Sequence, residues 1–484
     1  MRALEWFLII LVLAGALPPL AGCYQFLLAG LYVFRHDPAG VTAVYPRIAV
    51  IIPAWNEAAV IERTIDTLLS LDYPSDRLRV YVVDDGSTDE TPERVLRKVT
   101  ERPGAVLYLR RENGGQGKAH TINHGLRAVQ ADGWFEAVLV IDADVLFTHD
   151  SLRLMSRHLA RPEVGAVTAY IKEGTRPRNY VDRFIAFEYV TAQAAARRAQ
   201  NVLGALACLA GGAQLIRRES LTAIGGQIDT STLAEDTVTT LKIQLDGARV
   251  VFEPHAIVWA EEPRTLSGLW KQRVRWGRGN VQVTSRYRSI WFRSWKSGRL
   301  GSISFGLIWF TVTLMPIFMI AASTGLIALY FLKSSLAFAV FRTLWGLNLF
   351  TYLFITLSSF SIDPVTARNS WREGVAFPGL ISLGIILFAA YPPLFTSLEP
   401  HGTLLVVLIL FVYVWLSASM LAAYLVKRLE DSGIASWLVP SLLYIVGYGP
   451  LLCAMTAAAY VKELRRAEMR WEKTEKSGRI GDLA

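Results

Sequence analysis

The chain has 484 residues, of which 52% are hydrophobic and 19% are charged, and its formal net charge is +9. This length allows roughly two to four domains. Because the hydrophobic share is above and the charged share below the range of soluble domains, the composition indicates a membrane protein with a soluble part. Three scattered cysteines, Cys23, Cys208 and Cys453, exclude a disulfide framework and a cysteine-rich zinc site.

The excess of positive charge is concentrated in one stretch of the chain. Residues 268–300 contain nine Lys or Arg residues and no acidic residue. A basic stretch of this kind indicates a nearby anionic partner such as lipid headgroups or phosphate. The same stretch carries four Trp residues beside long apolar segments, which argues against nucleic acid as the partner.

The first element is an apolar segment at 5–34, which is longer than the ~20 residues that cross a bilayer. A signal peptide has a shorter apolar core of about 7–15 residues, so we predict a retained transmembrane anchor within residues 1–40. Pro18 and Pro19 predict a kink in this helix.

Between 48 and 262 short β-rich runs alternate with amphipathic stretches, which predicts βαβ units and a mainly parallel sheet. We expect a cytosolic domain over 45–265. In such sheets ligands bind at the carboxyl ends of the strands. The predicted strands are 48–52, 79–83, 105–109 and 137–141, and the predicted helices are 57–70, 91–100, 118–129 and 237–245.

After residue 300 the chain becomes membrane-like, with apolar segments at 303–331, 336–360, 374–397, 403–426 and 434–460. We predict a channel-like transmembrane domain over 301–462 and a basic cytosolic tail over 463–484. Five crossings here would place that tail outside, against the positive-inside tendency. We therefore expect 374–397, which contains Pro378, to re-enter or lie in the interface, giving five or six spans in total.

Acidic pairs end two of the predicted strands. Asp142 and Asp144 form an Asp-x-Asp motif, whose hard oxygen ligands suit Mg²⁺ or Mn²⁺ bridging to substrate phosphates. Asp84 and Asp85 can accept hydrogen bonds from a nucleobase or ribose. By itself each motif is more typical of a solvated turn.

Two further motifs begin helices. Lys118 follows the glycine-rich loop 113–117, which lacks Walker spacing but places a cation at a helix start, where it can face a diphosphate. Glu235 and Asp236 precede the predicted helix 237–245. An ionised carboxylate there can act as a general base for a sugar hydroxyl, or it can simply cap the helix.

A Gln-x-x-Arg-Trp motif lies in the basic stretch as Gln272, Arg273, Val274, Arg275 and Trp276. Forked arginine donors match phosphate oxygens, and a Trp ring can stack on a sugar. The same stretch is also typical of a basic interfacial helix with the aromatic anchors Trp291, Phe292 and Trp295. We expect both roles within amphipathic interface helices over 266–300.

Taken in this order, the motifs resemble those of the processive family-2 membrane glycosyltransferases, the synthases of cellulose, hyaluronan and poly-N-acetylglucosamine. The likeness runs from about residue 47 to 299, and the stretches 51–57 and 269–276 look most similar to the poly-N-acetylglucosamine branch. It implies an α/β GT-A (Rossmann-like) domain joined to an α-helical transmembrane domain. Ala234 departs from the Thr that the family often has there, and 208–212 matches only partly, so the sugar and linkage stay open.

The resemblance also implies roles for individual residues. Asp236 would be the catalytic base, Glu235 and Trp276 would contact the acceptor, and Asp142 and Asp144 would hold Mg²⁺ or Mn²⁺. The residues implied to bind the UDP-sugar donor are Glu57, Asp84, Asp85, Lys118, Asp142, Gln272, Arg273 and Arg275.

The implied activity is inverting, processive transfer from a UDP-sugar to the non-reducing end of a β-linked polysaccharide that is extruded through the cell membrane. One alternative is a glycolipid synthase that adds a single sugar to ceramide or diacylglycerol. Another is a transporter or an inactive scaffold, against which the full set of acidic motifs argues. The need for a small membrane partner subunit or a cyclic-dinucleotide activator stays open.

Overall fold

The computed structural model describes residues 2–35, 43–173, 179–392 and 402–468. Eight strands form one sheet in the order β3-β2-β1-β4-β7-β6-β8-β5. The strands are β1 (Ile48–Ala54), β2 (Leu78–Asp84), β3 (Val106–Arg110), β4 (Ala137–Val140), β5 (Val145–Phe147), β6 (Val164–Glu173), β7 (Gln214–Arg217) and β8 (Arg249–Ala260).

The helices of the α/β part cover the sheet. They are α3 (Ile61–Leu69), α4 (Thr91–Glu101), α5 (Lys118–Asp132), α6 (Ser151–Ser156), α7 (Tyr180–Tyr189), α8 (Ala196–Leu203), α9 (Arg218–Ala223) and α10 (Glu235–Leu245). A π-helical turn, Val190–Ala195, joins α7 to α8.

The remaining helices are long or apolar and lie at the two ends of the chain. They are α1 (Arg2–Ala14), α2 (Leu17–Arg35), α11 (Leu266–Arg286), α12 (Ser294–Ser297), α13 (Ile303–Thr313), α14 (Met315–Phe331), α15 (Ala337–Ile362), α16 (Pro364–Ala376), α17 (Leu380–Ala390), α18 (Thr403–Ser432), α19 (Val439–Val446) and α20 (Tyr448–Leu464).

The sheet core lies on both faces of β1. Ile48, Val50 and Ile52 pack on one face and Ala49 and Ile51 on the other, and all five are fully buried. Such two-sided burial is what a central parallel strand requires, and it explains the continuous apolar run in the sequence.

The parallel prediction holds for the first half of the sheet and for the pairing of β6 with β8. β1 pairs in parallel with β2 and β4, and β2 with β3. β7 then pairs antiparallel with both β4 and β6, and β5 pairs antiparallel with β8. The sheet is therefore mixed, and the change of direction next to β4 places the end of that strand at a natural ligand crevice.

One predicted helix starts later than expected, at Ile61 rather than at residue 57. Asn56 adopts a left-handed φ of 54°. Its side-chain oxygen accepts a 2.8 Å hydrogen bond from the Thr88 N–H, and the Glu57 N–H donates to the Thr91 hydroxyl at 2.8 Å. These bonds to the loop after β2 hold the segment in a turn, so Glu57 lies at the mouth of the site instead of on a helix.

The apolar helices include two that are long enough to cross a membrane unbroken, α15 and α18. Four bent helix pairs bring the number of candidate spans in the described ranges to as many as six. The kink predicted at the prolines is confirmed, since α1 and α2 meet at 44° and α2 begins one residue before Pro18.

The expected re-entrant segment corresponds to α16 and α17, which meet at 70°. The eleven residues of α17 rise only about 16 Å, half of a hydrocarbon core. A broken span and a re-entrant loop share this shape, so re-entry stays a prediction. Residues 393–397 of that segment, and 469–484 of the basic tail, lie outside the described residues.

Two carboxylates join the membrane helices to the α/β part. Asp363, which caps α16, accepts a 2.9 Å hydrogen bond from the Tyr170 hydroxyl and pairs with Lys172 at 2.7 Å, both on β6. Glu430, near the end of α18, accepts from the backbone N–H groups of Leu266 and Ser267 at 3.1 and 2.8 Å. Because N–H groups at a helix start have no partner within the helix, Glu430 fixes the N-terminus of α11.

The aromatic anchors after α11 divide into two groups. Trp295 is 76% exposed and Phe292 is 48% exposed, which agrees with an interfacial position. Trp291 differs from its expected role, because it is 7% exposed and stacks on Trp309 with ring centroids 5.2 Å apart. It joins the chain after α11 to α13 instead of facing lipid.

We expect Gly277→Ala to destabilise the protein although alanine favours helices. A β-carbon at this position of α11 would lie 2.9 Å from the Ala459 β-carbon of α20, and neither side chain can move aside. Overpacking of this kind costs about 1–3 kcal/mol, against a helix gain of about 1 kcal/mol. Gly346→Ala is the matched control, since a β-carbon in α15 there meets nothing within 4 Å. Thermal unfolding in nanodiscs should give a lower midpoint for Gly277→Ala than for Gly346→Ala; equal midpoints would contradict this packing.

Candidate active site

A cavity of about 770 Å³ opens at the carboxyl ends of β1 and β4 and continues between the membrane helices. It brings together residues that are far apart in the sequence because parallel strands end at the same edge of a sheet. Nine of the twelve predicted site residues line it: Glu57, Lys118, Asp142, Asp144, Glu235, Asp236, Gln272, Arg275 and Trp276.

Lys118 is the cation at the centre of this group. It begins α5, forms an ion pair with Asp142, and lies 3.9 Å from a Glu235 carboxylate oxygen. Burial by itself lowers the Lys118 pKa, but the charges of Asp142 and Glu235 outweigh it and raise the pKa above its ordinary value. Lys118 is therefore a permanent positive charge that can face a diphosphate.

Asp142 and Asp144 lie between β4 and β5. The Asp142 side chain is 38% exposed, whereas Asp144 is 8% exposed. No cluster of three or more metal-binding side chains occurs among the residues that the structure describes. Two hard carboxylates suit a divalent cation whose remaining ligands are phosphate oxygens and water.

Asp236 lies in the first turn of α10, but it does not cap the helix. The N-cap position belongs to Ala234, and the Asp236 Oδ1 atom accepts a 2.7 Å hydrogen bond from the Thr237 N–H. Its Oδ2 atom lies 3.6 Å from the point where a β-carbon on Gly211 would be, and the Lys118 ammonium lies 3.1 Å from the same point. A side chain at 211 would fill the space between the Asp236 carboxylate and the Lys118 ammonium, so glycine keeps that space open.

Glu235 lies beside Asp236 and is chemically distinct from it. Burial, followed by the neighbouring Asp236 charge, raises the Glu235 pKa, and Lys118 and Arg275 oppose that shift. Burial therefore disfavours the ionised form of Glu235, and the two neighbouring cations favour it.

The two arginines of the Gln-x-x-Arg-Trp motif have different surroundings. Arg275 lines the cavity and makes no hydrogen bond or ion pair within the described chain, so its donors are available to a ligand. Arg273 is 7% exposed and does not line the cavity. Its Nε and Nη2 atoms both donate to Glu188 at 3.0 Å, a forked pair that leaves no free edge for a donor substrate.

A buried polar network surrounds the Arg273–Glu188 pair. The Tyr448 hydroxyl of α20 donates to Glu188 at 2.6 Å, and the Arg273 guanidinium lies 4.1 Å from the centre of the Trp276 ring. Gln272 accepts from Arg273 and donates to Glu262 at 3.1 Å. Arg273 is therefore tied to Glu188 and Gln272 in this structure, and the donor-binding role expected for it stays a prediction.

Asp84 and Asp85 also lie outside the cavity lining. Asp84 is fully buried, and its two oxygens accept from the Ser87 N–H and the Tyr108 hydroxyl, both at 2.8 Å. Since both oxygens are occupied, Asp84 holds the turn after β2, and a donor contact by it is not supported.

Asp85 is held by the glycine-rich loop. It pairs with Arg111 and accepts from the Gly115 N–H at 3.0 Å. A β-carbon on Gly114 would lie 1.9 Å from the Asp85 carbonyl oxygen, so only glycine allows this close approach. Loop 113–117 thus packs on the Asp85 backbone and carboxylate, and base recognition by Asp85 requires the loop to change its contacts.

Sequence reasoning missed the wall of the cavity formed by the π-helical turn and α8. Gln193, Arg197 and Gln200 line this wall, and Gln25 of α2 joins it through a 3.2 Å hydrogen bond to the Thr191 carbonyl. The only signal in the sequence was the basic pair at 197–198 within an otherwise apolar helical stretch.

The membrane part of the cavity carries polar and aromatic groups on one face of α15: Trp345, Asn348, Thr351, Tyr352 and Thr356. On α15 the lining residues run from Trp345 to Thr356, which is about 17 Å along a helix axis. Trp309, Trp415 and Ser419 line the same space from α13 and α18. Along α15 the cavity lining therefore covers about half of a ~30 Å hydrocarbon core.

Residues 46–279 match the family model described as glycosyltransferase like family 2. Over 339 residues the chain is 29% identical to the probable glycosyltransferase YdaM of Bacillus subtilis (strain 168), which covers 69% of this chain and 78% of that protein. Over 243 residues it is 30% identical to the poly-beta-1,6-N-acetyl-D-glucosamine synthase of Staphylococcus aureus (strain COL), covering 49% of this chain and 56% of the synthase. The chain thus aligns with little more than half of that synthase.

The fold resembles that of the mannosyltransferase PcManGT from Pyrobaculum calidifontis, solved in complex with GDP-Man and Mn2+. The TM-score is 0.56 at 26% sequence identity, and the match covers 77% of this chain and 99% of that chain. The likeness extends beyond the residues of the family match, so it includes part of the helical region as well.

We expect Arg273→Gln and Arg275→Gln to differ in their effect on stability. Removing one partner of a buried, forked ion pair costs about 3–5 kcal/mol because a buried charge is left uncompensated. Arg275 makes no such contact, so its loss should change stability by no more than about 0.5 kcal/mol. Unfolding of both variants in matched nanodiscs measures the difference, and an equally stable Arg273→Gln protein would show that the pair is not structural.

Proposed function

We propose, from the match of residues 46–279 to the family model described as glycosyltransferase like family 2, that the enzyme transfers sugar from a UDP-sugar to the non-reducing end of a β-linked polysaccharide. We further propose that the transfer is inverting and processive, and that the product leaves through the membrane helices. The observation that carries this proposal is the continuous cavity that begins at Asp236 and ends between α15 and α18. A poly-N-acetylglucosamine-like product is the candidate that the S. aureus relatives suggest.

The donor would bind along the β4 side of the cavity. Lys118 and Arg275 are the cations that line it there, and both match diphosphate oxygens in charge and geometry. Gln272 and Glu57 would complete this side. Asp142 and Asp144 would hold Mg²⁺ or Mn²⁺, which supplies charge stabilisation to the leaving diphosphate. This cation matches the Mn²⁺ present with PcManGT.

Asp236 would take the proton from the acceptor hydroxyl. That oxygen then attacks the anomeric carbon from the face opposite the diphosphate, and the sugar–phosphate bond breaks with its electron pair leaving on UDP. The attack inverts the anomeric centre. Glu235 and Trp276 border the same space from α10 and α11 and would hold the acceptor end.

The membrane part of the cavity fits an extended glycan. Indole rings offer flat faces for sugar rings, and the hydroxyl and amide groups on α15 offer hydrogen bonds to sugar hydroxyls. The Trp345 indole nitrogen is buried without a hydrogen-bond partner, which is a donor that a sugar hydroxyl would satisfy.

Transfer of one sugar to a membrane lipid is the second candidate. Apolar side chains also line the membrane part of the cavity, including Met315, Met319 and Leu416, and these would suit an acyl chain. In this case the product would be a glycolipid of fixed size.

We expect Asp236→Asn to lower the transfer rate by about 10²–10⁴, because an amide cannot accept the hydroxyl proton. The substituted amide has the same size as the native carboxylate, so UDP affinity and the unfolding temperature should stay unchanged. Transfer is measured with purified protein in nanodiscs, with UDP affinity measured on the same samples. Full activity in this variant would remove Asp236 from the role of base.

Product size distinguishes the two candidate functions. Full-length protein in nanodiscs is given Mg²⁺ or Mn²⁺ and a panel of radiolabelled UDP-sugars, and products are separated by mass. A high-mass product from one donor is the expected result, and EDTA should abolish it. A lipid-sized product would establish glycolipid synthesis instead, and a metal-independent reaction would contradict the assignment of Asp142 and Asp144.

A further inference from the structure

Arg197 is a buried cation that faces the cavity without an anion. It is 7% exposed, and its one hydrogen bond within the described chain runs from Nη1 to the Ala169 carbonyl at 3.2 Å. No carboxylate among the described residues lies within ion-pair distance of it. A buried charge of this kind is costly unless a partner arrives, so its position beside the cavity indicates an anionic ligand.

Arg197 lies on the acceptor side of the site. Ala169 belongs to β6, which is separated from β4 by β7 in the sheet. Two strand spacings amount to about 10 Å, so Arg197 is well removed from the Asp-x-Asp motif that follows β4. Its neighbours there include α2, which packs against α8.

The same wall contains a buried acceptor atom that needs a donor. Gln193 lies one turn before Arg197 and also lines the cavity, and its Oε1 atom is buried without a hydrogen-bond partner. An ionised carboxylate or phosphate cannot donate a hydrogen bond to this oxygen, whereas a hydroxyl can. A ligand that satisfies both residues must therefore carry an anionic group and a hydrogen-bond donor such as a sugar hydroxyl.

We propose that the π-helical turn and α8 form an acceptor subsite for an acidic sugar unit. Arg197 binds the anionic group of that unit, and Gln193 accepts from one of its hydroxyls. Residues four apart lie on the same face of a helix, so Gln193 and Arg197 face the cavity together, and π-helical turns often occur at functional sites. This subsite rests on the proposed glycosyl transfer, and it favours an acceptor that bears acidic units over the uncharged poly-N-acetylglucosamine that the S. aureus relatives suggest.

The test compares two trisaccharides that differ only in charge, cellotriose and its counterpart with three glucuronic acid units. Their binding to full-length protein in nanodiscs is measured directly, without turnover. Wild-type protein should bind the acidic trisaccharide at least tenfold more tightly, about the ratio expected when a hydrogen bond to a charged group is gained. Arg197→Gln should remove this preference and leave cellotriose binding unchanged.

Arg198→Gln is the matched control. Arg198 is 8% exposed and carries the same charge, but its guanidinium lies 5.8 Å from the ring centres of Tyr170 and Phe252 and does not line the cavity. The Arg198→Gln protein should still bind the acidic trisaccharide more tightly than cellotriose. Gln193→Met is the second variant. It should lower the affinity for both trisaccharides equally, so the preference for the acidic one should remain.

Three results would overturn the subsite. The first is equal binding of the two trisaccharides by wild-type protein. The second is loss of UDP affinity in Arg197→Gln, which would assign Arg197 to the donor. The third is competition by phosphatidic acid in the nanodisc, which would assign the anion to a lipid headgroup. UDP-sugar transfer is measured separately. If the wild-type protein transfers sugar but binds both trisaccharides equally, the proposed function stands and only the subsite is contradicted.

Discussion

The ion pair between Arg273 and Glu188 is the contact on which the site geometry depends. It joins α11 to α7, and through the Tyr448 hydroxyl it joins both to α20. Because the pair is buried and forked, α11 can take only one rotation about its axis without leaving a charge unpaired. That rotation directs Arg275 and Trp276 into the cavity.

The membrane helices complete the catalytic domain as well as continuing its cavity. Glu430 of α18 caps the start of α11, and Glu463 of α20 pairs with Arg278 farther along the same helix. Because Gly277 has no side chain, α11 can pack closely against Ala459 of α20. The helix that carries the Gln-x-x-Arg-Trp motif is thus held at its start and along its middle, which couples the site to the packing of the bundle.

The charged side chains of the cavity fall into two groups, one near β4 and one near β6. Lys118 and Arg275 occur with the acidic residues near β4, where a nucleoside diphosphate and a cation would bring both signs of charge together. Arg197 stands apart on the β6 side among glutamine side chains and has no carboxylate partner within the described chain. This separation gives the β4 and β6 sides of the cavity different electrostatic characters.

The sequence determined the order of the elements and most of the site. The continuous apolar runs of the strands and the motif at each strand end can be recognised locally, because the period of the side chains and the location of strand ends follow from the chain itself. Nine predicted residues accordingly meet in the cavity. What the tertiary structure decided was which polar groups are already satisfied: Asp84 by Tyr108 and Arg273 by Glu188, partners 24 and 85 residues away. It also decided that Arg197 has no such partner among the described residues, since a charge and its counterion are matched only when distant segments pack together.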